Sequence, residues 1–185
     1  MYRRPMKIET ATIARLRDAL IQRGRRRTEV VSSAEEVLTR EGLLSPAENE
    51  AIRGVSPMAE VMYLVMAADG RVADAEVDAL RGAVRRLTGD LLQDGTVRVM
   101  LERFQVKLDE EGHSARLAHL AAQLTDVEEA EGAFALAAAV ALADDRVAPE
   151  ESALMRELAS AFSISEERVR AILEQLDADR AASDS

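Results

Sequence analysis

The chain has 185 residues, no Cys, no Trp and a formal net charge of −10, and it is 48% hydrophobic but only 3% aromatic. That length fits one domain with an appended segment, and a core drawn mainly from Ala, Leu, Val and Met favours closely packed helices. Without Cys there can be no disulfide framework, thiolate metal site or Cys nucleophile, and the acidic balance opposes nucleic-acid binding by the surface as a whole.

The charge is uneven along the chain. Residues 1–27 carry nine basic side chains against Glu9 and Asp18, a net +7, which leaves −17 for the remainder. No secretory apolar region follows these basic residues: Ile8, Ile13, Leu16 and Leu20 are interleaved with polar ones at helical spacing. The apolar run from Phe134 to Ala143 is about half the length a membrane span needs. A cytoplasmic protein without a transmembrane segment is therefore expected.

Helix punctuation recurs at short intervals, and no sustained period-2 pattern competes with it, so the fold is expected to be all-α. An amphipathic helix is predicted over Glu9–Arg23, stopped by Gly24, with Arg25, Arg26 and Arg27 directly after it. A short helix from Ser33, with Glu36 completing a capping box, should end at Gly42. Ser45-Pro46 and Ser56-Pro57 each place a cap residue before a proline suited to a first helical turn. Further helices are predicted over Pro57–Ala68, Asp74–Thr88, Thr96–Asp109, Ser114–Leu124, Asp126–Ala143, Glu150–Ala161 and Ser165–Leu176. The resulting organisation is a basic N-terminal helical arm over 1–56, a helical domain over 57–176 and a fraying tail over 177–185.

An internal repeat is the most informative feature. Val65-Met-Ala-Ala-Asp-Gly-Arg-Val-Ala-Asp-Ala-Glu76 aligns with Val140-Ala-Leu-Ala-Asp-Asp-Arg-Val-Ala-Pro-Glu-Glu151 at an offset of 75 residues. The preceding helices keep that offset: Met58, Val61, Met62, Val65 and Met66 map to Ala133, Leu136, Ala137, Val140 and Ala141. This spacing marks a buried face, so the Met58, Met62, Met66 stripe is read as core. Downstream, Val77, Leu80, Val84 and Leu87 map to Ser152, Met155, Ala159 and Phe162, and Val97, Leu101 and Phe104 map to Val169, Leu173 and Leu176. The expected body is thus a compact seven-helix bundle of two pseudo-symmetric three-helix units plus a linking helix around Ser114–Leu124, preceded by N-terminal helices.

The repeated loop is rich in carboxylates. Asp69, Gly70 and Glu76 are spaced like the second half of a calcium-binding EF-hand loop, but the earlier ligand positions fall on Val65 and Ala67, and on Val140 and Leu142 in the other copy. A self-contained EF-hand is not expected on that ground. If symmetry brings the loops together, Asp69, Glu76, Asp144 and Glu151 could share a divalent cation, with Asp74, Asp145 and Glu150 nearby, and oxygen-only ligands select calcium, magnesium or manganese. Helix capping is the competing reading. Ala73 or Ala148 at the N-cap puts Glu76 or Glu151 at the third helical position, facing the free N–H groups, with Val72 and Val147 anchoring the turn. Capping absorbs Asp69 and Asp144 less easily.

The pattern Ala-Ala-Asp-Gly-Arg-Val-x-x-x-Glu between two helices, repeated as Leu-Ala-Asp-Asp-Arg-Val-x-x-x-Glu, resembles the TerB-like family of tellurite-resistance proteins over about Pro57 to Leu176. Related domains stand at the front of membrane-anchored DnaJ-like co-chaperones, but the chain holds neither a His-Pro-Asp tripeptide nor a transmembrane segment. The resemblance implies a seven-helix fold and a non-enzymatic role in bacterial stress or metal-ion resistance, through protein partners at the inner membrane. The family's acidic positions, linked to metal binding, fall on Asp69, Glu76, Asp144 and Glu151. The second copy departs from the pattern in having Asp145 where the first has Gly70.

Other constellations carry less. His113 and His119 are six residues apart, not the three or four that would place two ligands on one helix face. No nucleophile elbow, phosphate-binding Gly-rich loop or dinucleotide fingerprint accompanies the paired carboxylates, so no enzymatic activity is expected. A second functional class rests on Arg23, Arg25, Arg26 and Arg27, which could make the chain an adaptor for an anionic surface, membrane or nucleic acid. Against this, the same arginines complement a helix C-terminus and an acidic body, and few aromatics are present to stack on bases. The adaptor reading predicts salt-sensitive binding to anionic vesicles or DNA; equal retention by the triple variant Arg25→Ala, Arg26→Ala, Arg27→Ala would discard it.

Overall fold

The computed structural model describes residues 44–70, 72, 74–142 and 149–183; the expected helices Glu9–Arg23 and Ser33–Gly42 lie outside the described residues. Among the described residues the chain is all-helical, with seven helices: α1 (Pro46–Met66), α2 (Asp74–Leu87), α3 (Asp94–Glu111), α4 (His113–Gln123), α5 (Val127–Ala141), α6 (Pro149–Ala161) and α7 (Glu166–Ser183).

The entry to α1 is set by a capping box. Ser45 Oγ accepts from the Glu48 N–H at 3.2 Å, and the Ser45 N–H donates back to Glu48 Oε2 at 2.8 Å. These hydrogen bonds from the Ser45 backbone and side chain hold the Glu48 carboxyl below its usual value. Pro46, at the first helical position, loses no intrahelical bond there.

The expected start at Pro57 is corrected: α1 runs through it, and Pro57 sits inside the helix. An interior proline withholds one hydrogen bond and costs about 3 kcal/mol. Each buried Met or Val of the next two turns returns about 1.5–3 kcal/mol, and Met58, Val61, Met62, Val65 and Met66 are all at most 1% exposed. Burial outweighs the lost bond, so the helix continues. At the other end, the tail expected to fray after Leu176 continues α7 to Ser183. Its alanines are strong helix formers, and Gln175 Nε2 donates to Asp179 Oδ1 one turn on at 2.8 Å.

The C-terminal half of α1 and nearly all of α5 are buried around their whole circumference, as central helices must be. They form the most extensive helix pair in the fold. The pairing works because the duplicated stripe is asymmetric in size. Met58, Met62 and Met66 on α1 stand where α5 has Ala133, Ala137 and Ala141, so bulky, pliable side chains on one helix complement a small-residue face on the other.

The packing pattern confirms the two three-helix units. Exchanging α1 with α5, α2 with α6 and α3 with α7 turns α1·α2 into α5·α6, α1·α3 into α5·α7 and α2·α5 into α6·α1, and every one of these pairs is in contact. Volume is traded within the second helices as well: Ala79 and Ala83 of α2 correspond to Leu154 and Leu158 of α6, all four buried. Of the stripe expected from the repeat, Leu80, Val84 and Leu87 are buried, whereas Val77 and its counterpart Ser152 are only half-buried. Likewise the buried pair of the third helices is Met100 and Ile172, one residue before the expected Leu101 and Leu173. α2 and α6 also end alike, with the Asp90 N–H reaching back to the Arg85 carbonyl at 2.7 Å and the Ile164 N–H to that of Ala159 at 2.8 Å. The linking helix α4 stands outside the symmetry and packs on α1, α3 and α6.

The closely packed alanine face of α5 makes a size prediction. Ala137→Leu should destabilise the fold by about 1–3 kcal/mol in denaturant unfolding, because the added methylenes have to be fitted into a fully buried position on a helix packed against α1. An unchanged midpoint would show that the two central helices are looser than described.

Candidate functional site

The first repeated loop leaves α1 through Ala67, whose N–H donates to the Tyr63 carbonyl at 2.9 Å, and turns at Gly70, whose N–H reaches the Ala67 carbonyl at 3.1 Å. Gly70 has φ +74°, a left-handed conformation that suits glycine. Asp69 and Asp74 are exposed, whereas Glu76, the third residue of α2, is only 3% exposed. In the second unit Glu150 is exposed and Glu151, the third residue of α6, is 4% exposed. Asp144 and Asp145, with Ala73, Val147 and Ala148, lie outside the described residues, as do Arg23, Arg25, Arg26 and Arg27. Val72, expected to anchor the turn by burial, is instead 41% exposed.

Thus Glu76 and Glu151 occupy the same position of equivalent helices and are withdrawn from water to the same degree. The third position of a helix faces the positive end of its dipole and its free N–H groups, which is where a buried carboxylate is most readily tolerated. The exposed Asp69 and Asp74 divide from them: one loop presents two carboxylates to solvent and one inward. Among the described residues, no three or more His, Asp or Glu side chains are gathered closely enough to hold a metal ion.

A second polar constellation was not singled out from the sequence. Glu60, in the middle of the buried half of α1, is 3% exposed and meets Arg116 of α4, also 3% exposed. Arg116 Nε donates to Glu60 Oε1 at 2.7 Å, and Nη2 meets the same oxygen. Arg116 Nη1 donates to both oxygens of Glu111, at 3.2 and 3.1 Å, and Lys107 Nζ lies 3.6 Å from Glu60 Oε2. Two cations and two carboxylates therefore close a neutral cluster joining α1, α3 and α4. Burial pulls the Arg116 guanidinium pKa down, but the Glu60 charge and the hydrogen bonds to Glu111 and Glu60 outweigh it and hold the group above its ordinary value. Beside the cluster, Tyr63 donates through its hydroxyl to Gln105 Oε1, and Gln105 Nε2 donates to Asp109 Oδ1 at 2.6 Å. The Tyr63 ring lies tilted against Phe104 with centroids 6.0 Å apart. The sequence signal for the ionic cluster was a single Glu inside an otherwise apolar helical stretch and a single Arg on the short linking helix.

The two histidines do not converge. His119 Nε2 is hydrogen-bonded to Gln123 Nε2 at 2.7 Å on the exposed side of α4, and His113 begins that helix.

A duplicated three-helix unit, related by a pseudo-two-fold exchange and carrying matched buried glutamates after its inter-helix loops, defines an all-helical domain class built on two central helices. The chain belongs to the TerB family: the family model described as Tellurite resistance protein TerB matches residues 57–174. The match opens at Pro57, inside α1, and closes within α7. No curated protein matches the chain, and no solved structure does. No described helix is long and apolar enough to cross a membrane.

The geometry yields two tests. Arg116→Ala leaves Glu60 buried without its principal partner and should destabilise the fold by about 3–5 kcal/mol in urea unfolding, whereas Glu60→Leu combined with Arg116→Leu should lie near the parent. A double variant as unstable as Arg116→Ala would show that the helices need the charges themselves. Burial, with the nearby Asp109 carboxylate, raises the Tyr63 phenol above its ordinary 10.0. The unfolded chain then ionises first as pH rises, so this residue's contribution to stability is complete below that pH and is lost above it. Tyr63→Phe should flatten the fall in stability above about pH 10 and remove from the ultraviolet absorbance titration a phenol that ionises above its ordinary value; an unaltered titration curve would discard the reading.

Proposed function

We propose that the chain is a non-enzymatic TerB-like helical module of bacterial tellurite and stress resistance that acts through protein partners and binds a divalent cation at its acidic inter-helix loops. The module works in the cytoplasm, peripheral to the inner membrane. Family membership supports the resistance context. The observation that supports the cation is the duplication itself: the same Asp and Glu positions recur in both units, and the two equivalent glutamates are buried alike.

The ligands in this reading are Asp69 and Glu76 from the first loop with Asp144 and Glu151 from the second, and Asp74, Asp145 and Glu150 contribute charge nearby. All are hard oxygen donors, the chemistry of calcium, magnesium or manganese sites. Because the described residues alone gather no three such groups, the reading requires both loops, including Asp144. A cation there would tie the two units together across the pseudo-symmetry axis and make the surface presented to a partner depend on metal supply.

The deciding experiment is a titration with calcium and magnesium followed through the backbone amide resonances of residues 69–76 and 144–151, with manganese read as line broadening. Saturable changes in both segments at once, lost in the Asp69→Asn, Asp144→Asn double variant, are expected. Absence of change at millimolar metal would discard the cation and leave a helical interaction module whose glutamates serve their helix ends.

A further inference from the structure

No further inference is drawn: the strongest candidate, the outer face of α3 on which Val99 and Val106 stand exposed two turns apart, carries nothing because nothing in the structure shows what covers it.

Discussion

The packing of α1 against α5 is the constraint on which the other helices depend. Two helices that are buried on all sides cannot sit at the surface, so each must be wrapped, and the remaining helices are the wrapping. With only 3% aromatic residues, the core cannot be filled by large rings. It is filled by bringing helices close together, which the alanines of α5 allow, and by methionines on α1 that take up the irregular space left over. The same need explains why Pro57 fails to end α1: the turns beyond it supply much of the apolar contact at the centre, and their burial exceeds the cost of one missing backbone bond.

Duplication gives this pair its surroundings, and one helix breaks the pattern. α2 reaches across to α5 as α6 reaches across to α1, so each unit helps to cover the central helix of the other. α4 has no described counterpart. It is attached through leucines, Leu117 and Leu120 being buried, and through the ionic cluster with Glu60. The position equivalent to Glu60 on α5 is Ala135, so the charge belongs to one unit only. A buried ion pair contributes little net stability compared with an apolar pair of the same shape, but a mismatch there is costly. The cluster ties α4 to both α1 and α3 through directed hydrogen bonds, which the leucines do not supply.

The acidic character of the chain divides along the same lines. Glu60 and Glu111 are neutralised by Arg116 and Lys107, and Glu131 by Arg168 at 2.7 Å, a contact that raises the Arg168 pKa chiefly through its hydrogen bond and the carboxylate charge. Glu76 and Glu151 are withdrawn into helix starts, while Asp69, Asp74 and Glu150 remain at the surface of the inter-helix loops. The −17 carried by residues 28–185 is thus not one uniform surface charge. Part is internal and structural, and part is concentrated where the two units repeat each other.

Much of this was legible in the sequence, and the division has a physical cause. The 3.6-residue periodicity, the caps and the 75-residue repeat determined an all-helical body of two related units, since those signals arise from the chain's own backbone and from the need of each helix to bury one face. The core positions Met58, Val61, Met62, Val65 and Met66 and their partners on α5 were readable for the same reason, and all are buried. Tertiary structure alone decided the rest. Whether Pro57 starts a helix or lies within one depends on what the following turns pack against, and whether Ala79 or Val77 faces inward depends on a rotation of α2 that a neighbouring helix sets. The union of Glu60 with Arg116, 56 residues apart, has no local signature beyond two isolated charges. The repeat marked Glu76 and Glu151 as equivalent, but their common withdrawal from solvent comes from the packing of the helices they begin, because burial is a property of the assembled neighbours and not of the loop in which a residue is written.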